Sequence, residues 1–185
     1  AYEDLTALEP QIEGVVSSQT TSQTPAFFFD IPASLSDEIL LEFVVQDSND
    51  EYAFVKQFSV EMASGILAIP VTDAQSGLVP GERYSWTFSI YCDPQRPSAS
   101  VSVFGSVVRV ADPLRESSIE TAEASLLLAE KYAASGIWHE SLDALFQLVQ
   151  SDPSNAVYRQ HLTALLEQGG LMNISSDDTE IETSE

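Results

Sequence analysis

Between Arg83 and Cys92 the chain alternates with period two: Arg83, Ser85, Thr87 and Ser89 fall on one side, and Tyr84, Trp86, Phe88, Ile90 and Cys92 on the other. Successive strand side chains point to opposite faces, so this pattern predicts a half-buried strand with Cys92 in phase with its buried face. Glu38 to Gln46 repeats the pattern, with Ile39, Leu41, Phe43 and Val45 on one face. Tyr52, Phe54, Phe58 and Val60 mark a third strand; Ala26 to Ile31, Gly65 to Val71 and Ser100 to Val110 supply three more. Turn residues punctuate them at Asp47-Ser48-Asn49-Asp50, Pro80-Gly81 and Asp93-Pro94. Short strands at this spacing over about 90 residues predict an antiparallel β-sandwich. Shared parity assigns Trp86, Phe88, Ile90, Phe43, Val45 and Val107 to its core. Phe27-Phe28-Phe29 cannot all face one side of a strand, so either both faces are covered or one is a binding surface, and cover within the chain is the expectation.

After residue 112 the period becomes helical. Ser117-Ser118-Ile119-Glu120 reads as a capping box, and Ile119, Ala122, Leu126, Ala129 and Ala133 recur at helix intervals up to Gly136. Leu142, Leu145 and Val149 define a second helix, and Tyr158, Leu162 and Leu165 a third beyond Asp152-Pro153, giving expected helices over 117–135, 138–151 and 154–168. Tyr132, Gly136, Trp138, Glu140, Ser141 and Pro153 resemble the tetratricopeptide pattern. One repeat is too few for a solenoid, which needs about three, so the helices are expected to dock on the sandwich or on another chain. Leu78 to Tyr84 resembles the tyrosine corner of fibronectin-like sandwiches, in which the phenol bonds back to upstream backbone. The expected fold is α+β: a lead-in at 1–24, an antiparallel fibronectin type III/immunoglobulin-like β-sandwich at 25–112, and a tetratricopeptide-like three-helix unit at 113–170. A disordered acidic tail is expected at 171–185, where Asp and Glu have no Lys or Arg to balance them.

Composition removes several functions. Over 185 residues the net charge is −22. A nucleic-acid binder needs a basic face, and an anionic membrane surface repels such a chain. No apolar run approaches the ~18–20 residues of a membrane span. Cys92 is the single cysteine, which excludes an intrachain disulfide, and its place on a buried face makes it an inert small hydrophobe. The chain begins with Ala1, which reads as a processed product whose signal peptide has been removed. His139 and His161 are the only histidines and are expected as solvated helix residues. No nucleophile elbow, phosphate-binding glycine loop or His-Glu-x-x-His motif is present, and no carboxylate pair stands out for acid–base work. The Asp47–Glu51 loop carries oxygens suited to calcium but lacks EF-hand spacing, so a plain hairpin turn is expected. No cofactor and no metal is expected.

Six segments together resemble a known family: Leu5-Thr6-Ala7-Leu8, Thr24 to Phe29, Phe43 to Asp47, Gly81 to Trp86, Cys92-Asp93-Pro94 to Ser98, and Gly105 to Val110. They are similar to the cyanobacterial domain-of-unknown-function family 928 over about residues 5–170. The Cys-Asp-Pro block followed by the Gly-x-x-x-Arg strand is the most specific part. The resemblance implies an exported protein and supplies no catalytic residue. The resulting expectation is a non-enzymatic extracytoplasmic binding or assembly module, periplasmic or extracellular, with a protein partner in the envelope. Its candidate partner-binding residues are Tyr91, Asp93 and Arg109, in or beside those two motifs. The alternatives are a hydrolytic enzyme acting on an envelope polymer, and a calcium-dependent structural module.

Overall fold

The computed structural model describes residues 2–72, 77–92, 99–114, 121–172, 174 and 181–183. In chain order the strands are β1 (Thr6–Ala7), β2 (Gln11–Ile12), β3 (Val15–Thr20), β4 (Ala26–Ile31), β5 (Leu40–Gln46), β6 (Tyr52–Phe58), β7 (Gly65–Pro70), β8 (Arg83–Tyr91) and β9 (Ser100–Arg109). The helices α1 (Ala122–Ala134), α2 (Trp138–Ser151) and α3 (Ala156–Gln168) follow, and then β10 (Ile181–Thr183). The strands form two sheets, ordered β1-β4-β7-β10 and β2-β3-β9-β8-β5-β6. The chain is therefore a mixed α+β protein. Pairing is antiparallel except where β3 lies parallel to β9 and β10 parallel to β7, a departure from the all-antiparallel expectation.

The first hydrophobic cluster lies between the sheets and contains the six residues that parity assigned, Trp86, Phe88, Ile90, Phe43, Val45 and Val107. Their rings interlock: Phe29 stacks on Phe88 at 4.4 Å, and Phe27 and Phe43 meet at 4.9 Å. Trp86 sits opposite Gly105 across the ladder, and a Cβ on Gly105 would come within 2.5 Å of the indole. Glycine at this position is what lets the indole lie flat under β9. Tyr84 closes the turn before β8, its hydroxyl accepting the Val79 N–H at 3.0 Å. This is the back-bond expected of Leu78 to Tyr84.

The second cluster lies on the other face of the smaller sheet. Phe28 turns away from Phe27 and Phe29 and meets Phe146 of α2 at 4.8 Å. Leu8, Ile66 and Ala68 join Leu142, Leu145, Leu162 and Leu165 there. The helices are thus a third layer, and the Phe27–Phe29 run is split between two cores.

Several local expectations change. Residues 1–24 are more than a lead-in, since β1, β2 and β3 lie in both sheets. β3 escapes a hydrophobic reading because it is a polar strand near a sheet edge. The capping box at 117–120 lies outside the described residues; α1 is capped by Thr121, whose side chain accepts the Ala124 N–H at 3.1 Å. Cys92 follows the last residue of β8 and is exposed, because the covering sheet ends before it. In the 171–185 segment, Leu171 is buried in the second cluster and β10 pairs with β7. Charge predicts disorder there, yet one apolar side chain and an open strand edge are enough to anchor parts of it.

Candidate functional site

Three consecutive residues at the start of α2 each grip a different part of the sheets. The Trp138 Nε1–H donates to the Leu8 carbonyl at 2.7 Å. Glu140 Oε1 accepts from the Thr20 hydroxyl at 2.6 Å, the Thr21 N–H at 3.0 Å and the Ser22 N–H at 2.9 Å, ending β3. His139 lies between them with both ring nitrogens engaged. Nδ1 is 2.9 Å from the Ala26 carbonyl, and Nε2 is 2.8 Å from Ser18 Oγ. A carbonyl only accepts, so Nδ1 carries the proton, and the neutral ring accepts the Ser18 O–H at Nε2. Burial lowers the imidazole's pKa, partly offset by the Ala26 hydrogen bond and the Glu140 charge.

Glu9 completes this seam. Its Oε1 is 3.5 Å from His139 Nε2. Both of its oxygens, and Trp86 Nε1 nearby, are buried without a hydrogen-bond partner. Desolvation pushes the carboxyl up to about 8; the polar atoms of Ser18 and Trp86 lie close enough to lower it in part, though neither makes a well-formed hydrogen bond to it. Near neutral pH the carboxyl and the ring are both uncharged, which is how ionisable groups tolerate such burial.

A serine hydroxyl 2.8 Å from an imidazole whose other nitrogen is anchored has the spacing of a nucleophile and its base. Access decides the matter. Ser18 is 5% exposed, His139 4% and Glu9 2%, so although Ser18 borders a concavity of about 380 Å³ beside Trp138, the trio presents almost no surface to a substrate in this arrangement. The sequence misplaces His139 as a solvated residue and does not single out Glu9 or Ser18. The signal available was the Trp138-His139-Glu140 run, three residues with polar side-chain atoms opening a helix that must dock on a sheet.

The open surface differs. The outer face of the larger sheet carries Phe104 at 74% exposure, Ile12 at 71% and Val15 at 62%. Ile12 and Val15 pair across a two-residue hairpin whose tip, Glu13-Gly14, has positive φ at both positions (53° and 81°). Beside them runs a trough of about 440 Å³ walled by Leu5, Ala7, Val15, Val103 and Phe104. A second concavity, about 600 Å³ between α1 and α2, is lined by Tyr132, Glu140 and Asp143, and burial raises the Asp143 carboxyl.

Tyr91 and Arg109 stand at opposite ends of the β8–β9 pair and are not brought together. The Tyr91 hydroxyl donates to Glu42 Oε1 at 3.0 Å, a bond that raises the phenol's pKa. Arg109 donates to the Thr21 carbonyl at 3.2 Å and to the Leu78 carbonyl, tying the end of β3 to the loop before β8. Asp93 lies outside the described residues. Asp47 Oδ1 accepts the Asn49 and Glu51 N–H groups at 2.8 and 2.9 Å, closing its hairpin. No cluster of three or more metal-ligating side chains occurs among the described residues. No helix among them is long and apolar enough to cross a membrane.

Two sheets with a helical layer, a buried polar seam and one open sheet face carrying large apolar side chains define a mixed α+β protein. The chain belongs to the Domain of Unknown Function family DUF928, whose profile matches residues 1–179. No curated protein matches it.

Proposed function

We propose that this protein is a non-enzymatic binding or assembly module of the cell envelope, working outside the cytoplasm with a protein partner. The observation that carries the reading is a contrast: the groups able to do acid–base or nucleophilic chemistry are enclosed between layers, whereas large apolar side chains stand on an open sheet face. The core architecture is read as fibronectin type III/immunoglobulin-like, on the Tyr84 back-bond and the two-sheet core. The helices are read as tetratricopeptide-like. Ser141 supports this: it is fully buried in α2, and its hydroxyl reaches the Ala129 carbonyl of α1 at 2.9 Å, a small residue at a helix crossing. An exported, cyanobacterial setting follows from the family resemblance and suits a Lys-poor acidic surface.

A serine-directed fluorophosphonate probe tests the non-enzymatic part. The full chain is expected to remain unlabelled at Ser18. Stoichiometric labelling lost in Ser18→Ala would overturn it in favour of a hydrolase.

A further inference from the structure

The register of the larger sheet aligns one residue from each of its six strands into a single row. Val55 of β6 faces Val44 of β5, Val44 faces Thr87 of β8, and Thr87 faces Phe104 of β9. Ser17 of β3 pairs with Ser106, so two residues back along these parallel strands Val15 falls beside Phe104, and both line the same trough. Val15 in turn pairs with Ile12 of β2. The result is an apolar stripe across the whole outer face. Polar rows flank it: Ser17, Ser106 and Ser85 on one side, Ser102, Ser89, Glu42 and Gln57 on the other.

We propose that this face is a homodimer interface, in which the stripe of Ile12, Val15, Phe104, Thr87, Val44 and Val55 packs against the same stripe of a second copy. The proposal rests on the assembly reading above and names its partner. Charge supports a copy of this chain. Two chains of net charge −22 repel wherever their acidic surfaces face each other. Within the paired rows of this face the ionisable side chains are Glu42 and Arg83. Glu42 is held by Tyr91 at 3.0 Å and Gln57 at 2.5 Å, and Arg83 by Ser106 Oγ at 3.1 Å. Two copies can therefore meet here with both charged groups already hydrogen-bonded within their own sheet. Symmetry supports it as well. A two-fold axis through the stripe sets apolar row on apolar row and polar row on polar row, the self-complementarity an isologous contact requires. Size is sufficient: six strands of two to ten residues, at ~4.8 Å spacing and ~3.3 Å rise, give roughly 650 Å² per copy, near the roughly 800 Å² of a standard interface.

Sedimentation equilibrium of the full chain tests this, with Phe104→Ser and Val15→Thr as interface variants and Leu127→Ser, on exposed α1 surface, as control. The wild type and the control are expected to dimerise. Dissociation should tighten as salt rises from about 50 to about 500 mM, because screening removes the repulsion between two acidic chains and leaves the apolar contact intact. Phe104→Ser is expected to weaken the dimer at least about tenfold, with an unchanged melting temperature at dilutions where both proteins are monomeric. Val15→Thr, on the hairpin tip, repeats the reading should Phe104→Ser disturb folding. A wild type that stays monomeric at about 100 µM in both salts overturns the proposal. So does a dimer that both interface variants leave unchanged. Either result leaves the non-enzymatic reading standing, since fluorophosphonate labelling tests that separately.

Discussion

Ser18 Oγ and His139 Nε2, 121 residues apart in the chain, lie 2.8 Å from each other. That contact joins a polar strand to the first turn of α2, and with the Ala26 bond at the other nitrogen it makes one imidazole the pin between the sheets and the helical layer. Truncating the ring would leave the Ser18 hydroxyl and the Ala26 carbonyl buried without partners. His139→Ala is expected to cost about 2–4 kcal/mol, read as a lowered urea midpoint. A midpoint within error of the wild type would show that the seam is not a structural joint.

The seam also sets a pH profile. The Glu9 carboxyl is raised from 4.5 to about 8 in the fold, so its contribution is fully present below 4.5 and is lost as pH climbs through 8. The His139 ring is lowered from 6.5, so its contribution is present above 6.5 and is lost as pH falls through its folded value. Just below 6.5 the two slopes oppose each other, Glu9 favouring lower pH and His139 higher pH. From these two groups, stability should change little there. It should then fall by about 1.4 kcal/mol per pH unit on the alkaline side until Glu9 ionises. Glu9→Gln, which cannot ionise, should flatten the alkaline limb in thermal melts taken across the range. An alkaline limb identical in wild type and variant would contradict this.

The sandwich core has its most sensitive point at Trp86 against Gly105. Trp86→Ala is expected to destabilise by about 3–5 kcal/mol. Gly105→Ala pushes a methyl into the indole and should cost about 1–3 kcal/mol. Denaturant titration of both variants checks the pair.

The acidic end of the chain bears on stability through Leu171 and β10. Ending the chain at residue 170 removes a buried leucine and bares the β7 edge. The melting temperature should fall by several degrees, since each kcal/mol is worth about 2–4 °C at this size. An unchanged melting temperature would mean that neither anchor contributes.

Strand parity made the sandwich legible, because Phe43, Trp86 and Phe88 have one choice of face once alternation is seen. Helical spacing did the same for Leu142 and Leu162. The seam was not legible. β3 alternates Ser17, Ser18, Gln19 and Thr20, and hydroxyl and amide groups carry no face preference until a partner is known. Glu9 precedes Pro10 in the link between two two-residue strands, too short for any period. His139 sits in a helix whose apolar stripe is complete without it, so its burial follows only from how α2 is laid across two sheets. The outer stripe was hidden for a different reason. Phe104, Val15 and Ile12 come from separate strands, and only the register brings them into one row.

The central claim is that the chemistry-bearing groups are sealed between layers and the working surface lies elsewhere. The ¹⁵N chemical shifts of the His139 imidazole, assigned with a His161→Asn variant, test it most directly. The account predicts a ring that is neutral and protonated at Nδ1 at pH 7, with a titration midpoint below the ordinary 6.5. A ring that titrates with a midpoint near the ordinary 6.5 would contradict it, placing His139 in contact with water and Ser18 within reach of a substrate.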